Sequence, residues 1–271
     1  MDNTAEPTLE QRLEATRPEA PMDPVARLRL RRSLVEGTGP SEVHYSGIDT
    51  PMGMLWLAYA GETVRCTDLA VPEELFRRQC AQRFRQEPQR DGSPPGRIRR
   101  AIDRYLEKGG PYSGPVDLSG LPEFHQRVLR QAMKIRRGEV RPYGWLAREV
   151  GAPGAARAVG TAMARNPIPI LIPCHRVVRT DYHIGEYGCG GPEKKKAILD
   201  LEGVDVQGLE RLATRGVRFQ GARSTRIFCL PGCYTGRRMR PESHVQFTSE
   251  AEARAAGFRP CKVCRPVAVG S

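Results

Sequence analysis

Two groups of cysteines could do chemistry in this 271-residue chain. The first is Cys174, set in an apolar run from Ile168 to Val178 that Pro169 and Pro173 interrupt. A cysteine reacts as its thiolate, and its free pKa of about 8.5 has to be lowered by a cation, a base or a helix N-terminus. His175 and Arg176 follow directly and supply a base and a cation. Apolar surroundings act the other way and raise a thiol pKa. The imidazole must therefore be coupled to the sulfur, through a water, with a carboxylate orienting the ring. Neighbours on a regular strand point to opposite faces, so that coupling needs an irregular backbone, which the prolines favour. The alternative is a buried structural cysteine beside a surface histidine.

The second group is Cys229 and Cys233 with Cys261 and Cys264, two close pairs near the end of the chain. Pairs so spaced predict a four-thiolate tetrahedral zinc site, the ion stabilising a unit too small to hold together alone. One zinc per chain is expected and no organic cofactor. Disulfides are the alternative pairing, and His244 is a spare ligand to a site that four cysteines already fill. The start, Met1 to Ala20, is polar with no apolar signal segment, and no stretch approaches the ~18 apolar residues of a membrane span. The expectation is a cytoplasmic protein with reduced thiols and no membrane partner. Lys and Arg outnumber Asp and Glu by 43 to 31, a formal charge of +12. That excess points to a polyanion such as nucleic acid, against the plainer reading of a basic surface.

The elements that position these groups read as an α+β protein in three parts. Residues 1–42 form a flexible leader with a short basic helix over 26–35. Residues 43–119 form a small mixed α/β domain: two strands around a Pro51/Gly53 turn, a third from Val64 to Leu69, and helices over 72–84 and 98–106. Residues 120–207 are helical. Phe124, Val128, Leu129 and Ala132 recur at helical spacing within 122–135. Short helices over 143–150 and 155–164 flank a tight Gly/Pro turn and read as a helix-turn-helix. The second is rich in small residues, including Ala156 and Gly160, suited either to a tight core or to close approach to a nucleic-acid groove with Arg157 projecting. A Gly-rich loop over 185–192 leads into a helix over 193–201. Residues 208–221 are read as a linker and 222–268 as a zinc-binding α+β unit, where nine Lys and Arg face three Glu and no Asp.

The block Arg141-Pro142-Tyr143, Ala155-Ala156-Arg157 to Gly160, and Asn166-Pro167 to Pro173-Cys174-His175-Arg176 closely resembles the O6-alkylguanine-DNA alkyltransferase family, whose active-site signature is Pro-Cys-His-Arg. The match runs from about Pro122 to Val206, with weaker similarity over 44–119 that includes Thr50-Pro51-Met52-Gly53. The resemblance implies irreversible transfer of methyl from O6-methylguanine in double-stranded DNA, with O4-methylthymine a candidate second substrate, by a monomer that acts once. By position, Cys174 is the acceptor, His175 takes its proton through a water, Glu202 orients His175, and Asn166 braces the turn beneath. Tyr143 presses on the phosphate beside the target and assists the leaving guanine, and Arg157 fills the gap left by the flipped nucleotide. Ala156 and Gly160 lie against the minor groove, while Tyr187, Gly190 and Gly191 wall the base pocket. Cys189 departs from the pattern and is read as an ordinary small residue, a second redox or alkylation site being the alternative.

The tail from Arg226 to Pro266 resembles the zinc domain of Ada-type adaptive-response proteins. There the first ligand, here Cys229, also accepts methyl from DNA phosphotriesters, and Arg237, Arg238 and Arg240 become candidate phosphate contacts. The alternative is a structural zinc ribbon. Two other functions are weighed: a methylation-switched or damage-sensing DNA-binding regulator, which has no need of Cys174, and a Cys-His hydrolase, which leaves the helix-turn-helix and the four-cysteine tail unexplained.

Overall fold

The computed structural model describes residues 42–237 and 239–266, so the expected leader up to residue 41, with its helix over 26–35, and Arg238 lie outside the described residues. Strands β1 (His44–Thr50) and β2 (Gly53–Ala60) form an antiparallel hairpin with Thr50 opposite Gly53. The turn follows from its residues. Thr50 Oγ1 donates to Gly53 O at 2.6 Å and accepts from the Met52 amide at 3.2 Å, and Gly53 adopts φ +105°, which a side chain would resist. Strand β3 (Thr63–Leu69) pairs antiparallel with β2, and the short β4 (Gln89–Arg90) lies parallel to β1, giving the order β3-β2-β1-β4.

Alternation along these strands sends residues to two cores. Helix α1 (Glu73–Phe84) buries Phe76 and Cys80 against Tyr45, Trp56 and Ala58. Helix α2 (Gly96–Lys108) places Ile98, Ile102 and Tyr105 on one stripe, in the core that holds Ile48, Leu55 and Leu57. Leu55, Leu57, Ile98 and Ile102 are fully buried, each contributing about 2 kcal/mol of burial.

The same core continues into the helical part. Helix α3 (Glu123–Ala132), strand β5 (Arg141–Pro142) and helices α4 (Tyr143–Glu149) and α5 (Ala156–Ala164) follow in order. Cys174–Arg176 is a single 3-10 turn, after which β6 (Val177–Val178) pairs parallel with β5. Helices α6 (Gly191–Leu201) and α7 (Val206–Thr214) complete this part. The N-terminal sheet holds the segment leading to Cys174. The Thr67 amide donates to Pro167 O at 3.1 Å, Thr67 Oγ1 to Pro169 O at 2.6 Å, and Tyr105 Oη to Ile170 O at 2.7 Å. Ile170 sits at φ +74°, a conformation that a β-branched residue keeps only when its surroundings enforce it.

The cysteine-rich end is a second small sheet. It is built from β7 (Phe219–Ala222), β8 (Ile227–Cys229), β9 (His244–Phe247) and β10 (Arg259–Pro260) in the order β10-β8-β7-β9, with helices α8 (Tyr234–Arg237) and α9 (Glu250–Ala255). The expected linker over 208–221 is corrected: it contains most of α7 and of β7. Asp205 caps α7 by accepting from the Gly208 amide at 2.7 Å, and Leu209 and Ala213, four residues apart, bury one face. Gly208 inside so short a helix weakens its sequence signal. All the described residues pack as one unit. Among them no helix is long and apolar enough to cross a membrane.

Candidate active site and metal centre

Cys174 begins the 3-10 turn, which is the irregular backbone that a cysteine-histidine pairing requires. Its side chain is buried, with 5% of the residue exposed. Asn166 Nδ2 donates to Cys174 Sγ at 3.2 Å and to Ile172 O at 2.9 Å, while its Oδ1 accepts from the Ile168 amide at 3.0 Å. Asn166 thus bonds two backbone groups of the segment leading to the turn and also donates directly to the sulfur. Cys189, partly buried, packs against the same core. Its thiol, with Asn166 and the charge of Lys195, outweighs burial and brings the Cys174 thiol down to about 7. The proton is correspondingly retained on Cys189, whose pKa is raised.

Arg176, expected as the cation beside the sulfur, turns elsewhere. Its guanidinium is buried and donates to Ile135 O at 2.7 Å, Tyr105 Oη at 2.7 Å and both oxygens of Glu202 at 2.6 and 2.8 Å. The cation acting on Cys174 is Lys195, on α6 two turns before the capping Glu202, and fully buried. Its ammonium donates to the carbonyls of Val177 (2.7 Å), Ile184 and Glu186 (3.3 Å), and burial pulls its own pKa down to about 8. Neither Lys195 nor Tyr105 was singled out from sequence. Lys195 stood in a run of three lysines, and only the helical period relative to Glu202 marks which one faces inward.

His175 is fully buried, and its Nε2 lies 3.1 Å from Glu202 Oε1. Burial holds His175 below its ordinary pKa, leaving a neutral imidazole at neutral pH. Burial alone would raise Glu202, but His175 and the hydrogen bonds from Arg176 hold its carboxyl well below the usual range. With the Nε2 proton given to Glu202, Nδ1 is the free acceptor. It is buried and has no protein hydrogen-bond partner, the kind of atom that a bound water satisfies. Tyr187 is buried beside the site with its ring edge-on to His175 at 6.5 Å. Gly190 and Gly191 turn the loop into α6 at φ +122° and +78°.

A groove of about 670 Å³ is lined by Tyr143, Ala156, Arg157 and Gly160 together with Arg179, Arg218, Asp181 and Glu186. Val159, Ala162 and Met163 face the core, whereas Arg157 is exposed and the space beside Gly160 is open. The small residues of α5 are split between the two sides: Ala162 packs in the core, while Ala156 and Gly160 are half-buried and Ala158 and Ala164 exposed. Arg218, just before β7, is a groove cation that sequence reasoning missed. Arg240 is exposed and lines a different groove, with Ser224, Thr225 and Met239, so it is not brought to Tyr143.

The sulfurs of Cys229, Cys233, Cys261 and Cys264 all lie within 4.8 Å of one another, and all four residues are buried. A tetrahedral zinc thiolate with bonds of about 2.3 Å sets its sulfurs roughly 3.8 Å apart, so the cluster fits that ion. The Leu230 amide points at Cys264 Sγ at 3.4 Å, as suits an anionic sulfur. His244 is outside the set, its Nε2 lying 3.2 Å from Met239 O. All eight cysteines are free of disulfides.

Comparison with known proteins agrees with both centres. Residues 123–204 match the family model "6-O-methylguanine DNA methyltransferase, DNA binding domain", and residues 211–267 match "Metal binding domain of Ada". A methylated-DNA–protein-cysteine methyltransferase of Mycobacterium tuberculosis is 38% identical over 166 residues, covering 59% of this chain and 92% of that protein. The rat protein of the same name is 50% identical over 82 residues, covering 30% of this chain and 39% of that one. A crystal structure of the M. tuberculosis O6-methylguanine methyltransferase aligns at a TM-score of 0.48 and 36% identity, over 59% of this chain and 92% of that one. With 92% of the M. tuberculosis protein's length matched at 38% identity, the chain belongs to the methylated-DNA–protein-cysteine methyltransferase family.

Proposed function

We propose that Cys174 is the methyl acceptor and that the chain repairs O6-methylguanine in duplex DNA once per molecule. The observation carrying this reading is the set of groups around the Cys174 turn: Asn166 Nδ2 at 3.2 Å from the sulfur and the His175–Glu202 pair of the next residue. The Cys174 proton passes through a water to His175 Nδ1, and Glu202 holds the resulting imidazolium. The thiolate attacks the methyl carbon; the carbon–sulfur bond forms as the carbon–oxygen bond breaks, and the electron pair returns to the guanine ring. Tyr143 at the groove supplies a proton to the departing base and recovers one from solvent. The thioether is not hydrolysed, so transfer is stoichiometric.

The methyl is hidden in the duplex, and extruding the nucleotide costs a few kcal/mol. Ala156 and Gly160 allow close approach, and Arg157 occupies the vacated stack. O4-methylthymine presents a methyl on the corresponding oxygen and is the candidate second substrate. A monomer suffices, since every group from Asn166 to Glu202 comes from one chain. The zinc ion, one per chain, would hold the small sheet together and keep its four sulfurs deprotonated. Cys229 has no exposed surface, which favours a ligand-only role over methyl acceptance from phosphotriesters. These groups act in reducing, intracellular surroundings. Incubation with an O6-methylguanine duplex should add one methyl per chain by intact mass, mapping to Cys174 and absent in Cys174→Ala. A methyl found on another cysteine, or none after prolonged incubation, overturns the assignment.

A further inference from the structure

Both ligand loops of the four-cysteine centre end on one short stretch, residues 139–149, which holds β5 and α4. On the first loop Gly232 lies so close to the fully buried Val140 that a Cβ there would come within 2.5 Å of its Cγ2. The amide of Tyr234, next to the ligand Cys233, donates to Glu139 Oε1 at 2.8 Å. Glu139 Oε2 accepts from Arg141 Nη2 at 3.1 Å, and both side chains are 4% exposed. On the second loop the carbonyl of the ligand Cys264 accepts from the indole N–H of buried Trp145 at 2.7 Å. The next carbonyl, of Arg265, accepts from Arg148, and the Arg265 guanidinium pairs with Glu149. Arg265 holds φ +44°, a left-handed backbone that a long side chain adopts only under constraint. Arg141 also lies over the Trp145 ring at 5.4 Å.

From there two short routes reach the reacting groups. Trp145 is two residues beyond Tyr143 on α4, and β5 pairs with β6 directly behind the Cys174–Arg176 turn. A module on a loose tether would leave Val140, the Glu139–Arg141 pair and the Trp145 indole at a surface. Here they are buried, and Glu139 and Trp145 bond main-chain groups at or beside metal ligands.

We infer that the metal module is a clamp on the helix pair, with Trp145 and Glu139 as positioning residues that set Tyr143 and the Cys174 turn against DNA. The inference rests on the reading of the centre as a zinc site and of Cys174 as acceptor. Binding of the ion fixes the ligand loops, and the loops fix α4. Each hydrogen bond lost between loop and helix shifts the docked population by about tenfold.

The test uses the full chain as metal-replete wild type, Trp145→Phe and Cys261→Ser, and reads zinc content, amide hydrogen exchange and affinity for an unmethylated duplex. Trp145→Phe should keep its zinc, exchange the amides of 143–149 roughly tenfold faster with β2 unchanged, and bind duplex about fivefold more weakly. Cys261→Ser should lose zinc and show both effects more strongly. If that variant does not fold, chelator titration of the wild type with the same exchange readout replaces it. A zinc-free chain whose α4 amides and duplex affinity match the wild type overturns the clamp. So does a loss of protection spread equally over β2, which would make the ion a support of the whole fold. Failure of methyl transfer in metal-replete wild type would instead overturn the acceptor assignment, while hydrogen exchange would still report on the clamp.

Discussion

Replacing Cys189 tests how the acceptor is activated. The Cys189 thiol is the largest influence holding Cys174 near 7, at which half the acceptor is thiolate at pH 7. A hydrogen bond to a charged acceptor contributes about 1.5 kcal/mol, and one pKa unit corresponds to about 1.4 kcal/mol. Cys189→Ala should therefore move Cys174 up by roughly one unit, leaving about a tenth ionised at pH 7. Because the thiolate is the nucleophile, the single-turnover rate on saturating O6-methylguanine duplex should fall about fivefold at pH 7 and converge with wild type well above pH 9. Cys189→Ser keeps a donor and should restore most of the rate. The assay is quenched-flow transfer of labelled methyl across a pH series. An alanine variant with the wild-type midpoint would refute the reasoning and leave Asn166 and Lys195 as the effective partners.

Glu202→Gln should destabilise the fold by about 3 kcal/mol, because it strands the buried Arg176 guanidinium; chemical denaturation measures it. The Glu202 carboxyl is held below its unfolded value, so its stabilisation is complete above about pH 4.3 and fades as pH falls toward the folded value. A thermal-unfolding series in acid should show that loss in wild type and not in Glu202→Gln. Arg157→Ala should slow transfer from duplex far more than transfer from the free O6-methylguanine base, because only the duplex reaction needs the stack refilled. Arg218→Ala should weaken duplex binding and lower the salt dependence by about one phosphate contact; an unchanged slope would remove Arg218 from the interface. Metal analysis should find one zinc per chain, reduced to none in Cys264→Ser.

The first hairpin could be read from four residues, because Thr50 and Gly53 satisfy the turn within themselves. The helix pair was legible for a similar reason: Gly151 and Gly154 both take the positive φ that ends one helix and starts the next. Helix α7 was not, since its stability comes from burying Leu209 and Ala213 against the rest of the chain. The partners of Arg176 could not be read from its place beside the sulfur, because they lie 26 to 71 positions away.

By itself, the order of residues determined which atoms could react: one cysteine beside a histidine, four more at ligand spacing, and a small-residue helix bearing an arginine. Such features are local, set by neighbours within a few peptide bonds. Only the tertiary structure decided what each atom meets. Packing brought Lys195 and Cys189 to the acceptor, turned Arg176 onto Glu202, and seated the metal loops on Trp145 and Glu139. Those contacts join residues 15 to 119 positions apart, and burial rather than spacing determines their strength, because charges and hydrogen bonds gain weight where water is excluded.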